Sequence, residues 1–429
     1  MPASARSRSF HKLAAAVAVF AATALAKAGP AQLSDSFSNF AEHPAIDYHS
    51  VPSDDAVARL NREIAAGTIQ LKADGPSGYL RSVLGALHVP IESQVAVFAK
   101  DSFQRDLISR QNPRTLFFND DVAVAWVRGG FIELAAQDPR QGVVFYVLDP
   151  TSPSSRQDQA VPDRPRFTRR DDCLTCHYSY STTGVPGMIT RSAGQYTVDH
   201  TIAIDKRWGG WYVTGNAGSI PHLGNTDLDA VFETPAAKTV GLPSFERQFD
   251  TAGYLSTHSD VVALMVFEHQ MHMMNLLSRI GWEARVAAGI VDGRFDAPVR
   301  LADAARELVD YLLFVDEAPL TGTLLGLSGF AEQFAAAGPR DRQGRSLRQL
   351  DLRRRLMRYP CSYMIYAAVF DALPAPAKDA IYQRMWQILS GAEKDRKYAR
   401  LALDDRRAVV DILRETKAGL PGYFGAVAE

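Results

Sequence analysis

The sequence predicts an α+β fold: a small antiparallel sheet region, then a cysteine-bearing segment, then a mainly helical C-terminal half. Three observations carry this. Residues 95–148 are dense in valine, isoleucine and aromatics, with glycines between the runs. From Ser259 onward the apolar residues recur at helical spacing. Strand patterns come first and helix patterns after, the order of an α+β chain. The 429 residues, 46% apolar and 22% charged, can fill a large core.

Four segments follow. Residues 1–26 read as a signal peptide: Arg6, Arg8 and Lys12 precede an uncharged run from Leu13 to Leu25, and Ala24-Leu25-Ala26 is an A-x-A cleavage site. The run falls short of the ~20 residues a bilayer span needs, so a retained anchor is the lesser alternative. Residues 27–165 form an N-terminal α+β region. In it, Asp54 and Asp55 precede a helix through Ile64, a second helix runs from Gly78 to about His88, and Val122–Val127, Arg128-Gly129-Gly130 and Phe131–Leu134 read as a hairpin. Val143–Leu148 is a third strand. The region ends in a linker with Pro150, Pro153, Pro162 and Pro165. Residues 166–255 carry the two clustered cysteines, with strands expected over 196–204 and 207–215. Residues 256–429 are helical: an apolar helix from Asp260 to Leu277, then helices at 302–315, 347–357, 362–372, 376–390 and 405–416.

Losing residues 1–26 removes three positive charges and no negative one, taking the net charge from −1 to −4. A mildly acidic chain without a basic block predicts no nucleic-acid partner. No stretch after the leader is apolar for long enough to span a membrane.

Two of the three cysteines stand in Cys173-Leu174-Thr175-Cys176-His177. This is the attachment spacing of haem c, in which both thiols form thioethers to the porphyrin and the adjacent imidazole becomes the iron ligand. A thiol redox pair lacks a βαβ setting here, and a zinc site lacks a second Cys-x-x-Cys. One covalent haem c is therefore the expected cofactor, and export suits it. Asp171 and Asp172 stand where an N-cap would. The carbonyl of Pro186 is the candidate acceptor for the second ring N–H of His177. Arg207 (or Lys206) could pair with a propionate, and Trp208 or Trp211 could line the porphyrin edge. Cys361, among apolar and aromatic neighbours, reads as a buried inert thiol.

The other face of the iron decides between carrying electrons and small-molecule chemistry. Met188, His200 and His222 are candidates, and so is the apolar helix, where Met265, His269, His272 and Leu276 share one stripe. His269 or His272 could be a distal acid/base, with Glu268 one turn before His272 to orient its ring.

The segments Asn112–Asp120, the pentad with Thr183-Gly184-Val185-Pro186-Gly187, Arg207–Tyr212, Glu268-His269-Gln270 and Tyr359–Tyr363 resemble a family of exported bacterial cytochrome c-like proteins. The resemblance covers most of the mature chain and implies haem and a periplasmic address. It implies no particular activity. The expected function is redox: a periplasmic monohaem c-type cytochrome in electron transfer, serving a donor or acceptor protein. The alternatives are a haem-dependent peroxidase- or oxygenase-like enzyme acting on a small-molecule substrate, and a non-catalytic sensor or subunit of a redox complex.

Overall fold

The computed structural model describes residues 40–148, 165–192, 196–218, 220–226, 241–289 and 297–427. The leader read over 1–26 and the linker from 149 to 164 lie outside the described residues.

Seven antiparallel strands make the main sheet, in the order β6-β5-β4-β3-β2-β1-β9. They are β1 (Val95–Val97), β2 (Arg114–Phe118), β3 (Val122–Trp126), β4 (Ile132–Asp138), β5 (Gly142–Leu148), β6 (Thr168–Arg169) and β9 (Trp211–Tyr212). A two-stranded ribbon pairs β7 (Arg191–Ser192) with β8 (Tyr196–Thr197). The β3–β4 hairpin turns at Gly129, whose φ of 85° a side chain would resist. β6 and β9 belong to the cysteine-bearing segment, so residues before and after 165 share one sheet.

Both sheet faces are covered, which explains why these strands read as apolar runs more than as alternation. One face presents Phe117, Val122, Val124, Leu134 and Val144 to α1 (Ala56–Ala66) and α2 (Leu80–Ala86). Asp55 caps α1, accepting from Val57 and Ala58 N–H at 2.8 and 2.9 Å, and Gly67 closes it in the left-handed region. The other face presents Leu116, Phe118, Ala123, Ala135, Val143 and Phe145 to the helical half.

That half is built on α4 (Val261–Gly289), 29 residues long and buried around most of its circumference. Buried Asp260 caps it, accepting from Val262 and Ala263 N–H at 2.8 and 3.2 Å. α4 packs against β5, α5 (Ala297–Leu312), α6 (Phe330–Ala336) and α8 (Ala375–Leu389). A short α7 (Ala368–Asp371) precedes α8, and α9 (Leu403–Thr416) follows it. No helix among the described residues is long and apolar enough to cross a membrane. The architecture is α+β, with the helices mostly in the C-terminal half.

Several elements differ from the sequence reading. Residues 347–357 are not a helix. Asp351 turns the chain by accepting from Arg353 and Arg354 N–H, Leu352 sits at φ 59°, and Leu350 bridges Met357. The 362–372 helix breaks at extended Ala367, into a 3-10 turn (Tyr363–Tyr366) and α7. The expected strand over 196–204 stops at Thr197. The Asp199 carboxylate takes Thr201 N–H at 2.7 Å and turns the chain, and Ile204–Lys206 is a 3-10 turn. Only Trp211–Tyr212 of the 207–215 segment is strand.

Candidate haem site

The pentad lies on two consecutive short turns, Asp171–Cys173 (3-10) and α3 (Leu174–His177). Three- and four-residue spacing on such a turn sets Cys173, Cys176 and His177 along one side. Both thiols are free; Cys173 is half-buried and Cys176 exposed. Asp171 and Asp172 do not cap with their side chains. Arg169 and His49 hold the first at 2.9 and 3.1 Å, and Arg170 holds the second. Burial pushes the Cys173 thiol up to about 11, with Asp172 and Glu133 adding to it. That is the opposite of the electropositive setting that activates a redox thiolate.

After His177 the chain doubles back. Ser179 and Thr182 form a capping box, Thr183 and Gly184 take φ of 58° and 73°, and Pro186 bridges Tyr178. The return places the Gly187 carbonyl 2.9 Å from His177 Nδ1, while Gly187 N–H donates to the His177 carbonyl at 2.9 Å. The acceptor is thus Gly187 and not Pro186. Successive carbonyls of extended backbone point to opposite sides, and that of Pro186 faces β5, accepting from Val143 N–H at 3.0 Å. Met188 follows, with its N–H and C=O both bound at 2.8 Å by the side-chain amide of Asn275 on α4.

A carbonyl can only accept, so Nδ1 of His177 carries the proton. The ring leans on Phe145 of β5, with centroids 4.7 Å apart. Burial pulls it below the usual histidine value, and the bond to Gly187 opposes this. The charges that reach it are Arg114, Glu133 and Arg191. Arg114 and Glu133 pair at 2.6 Å on the sheet face that carries Phe145. Arg191 has no ion-pair partner among the described residues, and Trp211 Nε1 donates to its carbonyl at 2.7 Å.

The other sequence-predicted residues gather elsewhere. Arg207 is fully buried. Its guanidinium donates to Glu268 at 3.1 Å, the Ile202 carbonyl at 2.7 Å and the His200 carbonyl at 2.9 Å, which leaves it unavailable to a propionate. Trp208 is buried against His222, ring centroids 5.2 Å apart, and so does not line an open edge. Glu268 pairs with Arg207 instead of His272. Burial raises its carboxyl to about 7, against the pull of that arginine. His269 has both ring nitrogens engaged, Nδ1 with His200 Nδ1 at 2.8 Å and Nε2 with Ser362 Oγ at 2.7 Å. It is stacked between Tyr311 and Phe314. No nitrogen is left for iron or for acid/base work. His272, half-buried against Tyr311, keeps an unpartnered Nδ1. Among the described residues no three His, Cys, Asp or Glu side chains converge as a metal site.

The donor set fits haem c: two unpaired thiols and an imidazole whose Nδ1 is tied to a carbonyl. Cys173, Cys176 and His177 Nε2 would hold it, with Arg114 and Arg191 the cations whose charge reaches His177. Sequence reasoning missed Gly187, Asn275, Arg114 and Arg191. Asn275 had a signal, as a side-chain amide in an apolar helix; a backbone carbonyl gives none.

Compared with known protein families, with curated proteins and with solved structures, the chain matches none.

Proposed function

We propose that this chain is a periplasmic monohaem c-type cytochrome that works in electron transfer with a donor or acceptor protein, and a relative of the exported cytochrome c-like proteins it resembles. One observation carries the reading: the Gly187 carbonyl orients and tautomerises His177, fixing the proton on Nδ1 at 2.9 Å and leaving Nε2 as the ligating atom. The free Cys173 and Cys176 on the same turns add to it. Haem bound there would supply a one-electron Fe(III)/Fe(II) couple. The chain's own part is to tether the ring through two thioethers, hold the imidazole rigid and set the local charge through Arg114, Glu133 and Arg191.

The test is a mass. Protein matured in a host with cytochrome-assembly machinery should be coloured and heavier than the bare polypeptide by one haem, and Cys173→Ala with Cys176→Ala should abolish both. A colourless wild type at the bare mass refutes the proposal.

A second reading, a peroxidase- or oxygenase-like haem enzyme, now rests on His272 alone, the helix histidine with a free ring nitrogen. Carbon monoxide separates the two. An unchanged reduced spectrum favours the carrier. A shifted spectrum, with peroxide turnover lost in His272→Ala, favours the enzyme.

A further inference from the structure

We infer that Asn275 is the positioning residue of the proximal histidine: by clamping Met188 it holds the Gly187 carbonyl on His177 and so tunes the iron's ligand. The inference rests on the haem reading above.

The backbone from Pro186 to Met188 is pinned group by group. The Pro186 carbonyl goes to Val143 of the sheet, and Gly187 N–H to the His177 carbonyl. Met188 N–H and C=O go to Asn275 Oδ1 and Nδ2, both at 2.8 Å. The Gly187 carbonyl is thereby aimed at Nδ1, and it lies between the pinned Gly187 N–H and the pinned Met188 N–H. Asn275 is 1% exposed and 87 residues away in sequence, so the clamp is tertiary. The approach is close enough to dictate residue 187. A Cβ there would fall 2.2 Å from Asn275 Oδ1, which only glycine avoids.

A carbonyl on Nδ1–H raises the basicity of Nε2, and a more basic ligand favours Fe(III). Loosening the carbonyl should move the couple toward the reduced form. Loss of such a partner typically changes metal–ligand equilibria 10-fold or more. The expected effect is therefore about tenfold toward Fe(II), or ~59 mV upward.

The experiment measures reduction potential and, by proton NMR of the reduced protein, the His177 Nδ1–H shift in matured Asn275→Ala, Asn275→Asp and Gly187→Ala. Ser278→Ala is the control. It is one turn further along α4 and bonds Gln137 and the Met274 carbonyl, not the 186–188 loop. We expect a higher potential and an upfield-shifted His177 Nδ1–H resonance in Asn275→Ala and Gly187→Ala, with neither changed in Ser278→Ala. Asn275→Asp adds a diagnostic. Protonated, its carboxyl can both accept from Met188 N–H and donate to Met188 C=O, so its potential should return toward wild type as pH falls. Potentials and Nδ1–H shifts at wild-type values in haem-loaded Asn275→Ala and Gly187→Ala, or an Asn275→Asp profile parallel to wild type, overturn the inference. Absence of haem from the wild type overturns the haem reading instead.

Discussion

Replacing His269 by leucine separates a histidine that builds the fold from one that serves the iron. The substitution removes a ring bonded on both nitrogens and buried in α4, and leaves His200 Nδ1 and Ser362 Oγ without that partner. Each buried polar group so orphaned costs ~1–3 kcal/mol, and the leucine recovers part of the stacking on Tyr311 and Phe314 as apolar contact. The expected loss at pH 7 is about 2–5 kcal/mol. A pH signature goes with it. Burial pulls His269 from 6.5 down to about 3. The unfolded chain therefore binds a proton at His269 below pH 6.5 that the folded chain refuses, and this residue's contribution to stability falls with pH. For one such residue the loss between pH 6.5 and 5 is about 2 kcal/mol. Leucine does not titrate, so the gap between wild type and variant should narrow by about that amount from pH 7 to pH 5. Urea unfolding at the two pH values measures it, and the haem spectrum should stay unchanged. A variant with native stability and an altered spectrum would refute the reasoning and return His269 to the iron.

Glu268→Gln should remove part of an opposite slope. A carboxyl held up to about 7 by burial binds a proton in the fold that the unfolded chain releases above 4.5. The Glu268 contribution to stability is thus lost as pH rises between those values, and urea midpoints at pH 5 and 7.5 should show wild type falling relative to the variant. Buried Glu317, also raised to about 7, keeps the slope from vanishing. Asp260→Ala removes the α4 cap and the acceptor for Leu327 and Ser328 N–H; it should cost about 3 kcal/mol or more by thermal or urea unfolding, and a loss under 1 kcal/mol contradicts the capping account. In protein expressed without haem, iodoacetamide should label exposed Cys176 first and Cys173 slowly, while buried Cys361, its thiol pushed up by burial, should react only after unfolding. Labelling of native Cys361 followed by mass spectrometry would overturn its inert role.

What the sequence made legible is local. The acidic pair before α1, the glycine turn between β3 and β4, the apolar run of β5 and the helices α4, α5, α8 and α9 are all written in spacing and caps. The sheet's extent was not. β6 and β9 are two residues each and join the sheet through partners 20 or more residues away, at Tyr146 and Val97. The 196–204 stretch has strand periodicity, yet Asp199 offers Thr201 N–H a local acceptor and buried Arg207 draws in the carbonyls of His200 and Ile202. The site divides the same way. Cys173, Cys176 and His177 are named by chemistry at fixed spacing. The acceptor for His177 was placed in the right turn but one residue early, because the choice between the Pro186 and Gly187 carbonyls is made by β5.

The polar residues of α4 show why a histidine stripe on an apolar helix misleads. Glu268 meets Arg207, His269 meets His200 and Ser362, Gln270 meets the Asn119 carbonyl and Tyr363, Asn275 meets Met188, and Ser278 meets Gln137. Each reaches a sequence-distant segment, among them 200–207, 362–363, and the stretches around Asn119, Met188 and Gln137. A helix apolar all round could rotate or slide against its neighbours at small cost. A series of buried polar groups, each costly to leave unpaired, permits one register. Their first role is therefore to specify packing, and a function for any one of them depends on where its partner leads. Glu268, His269 and Gln270 lead to arginine, histidine and tyrosine groups closed within the core. Asn275 leads, through two backbone groups, to the carbonyl on His177. A shift of α4 by a fraction of a turn would be absorbed as lost stability at the first three, but at Asn275 it would also reach the His177 ring.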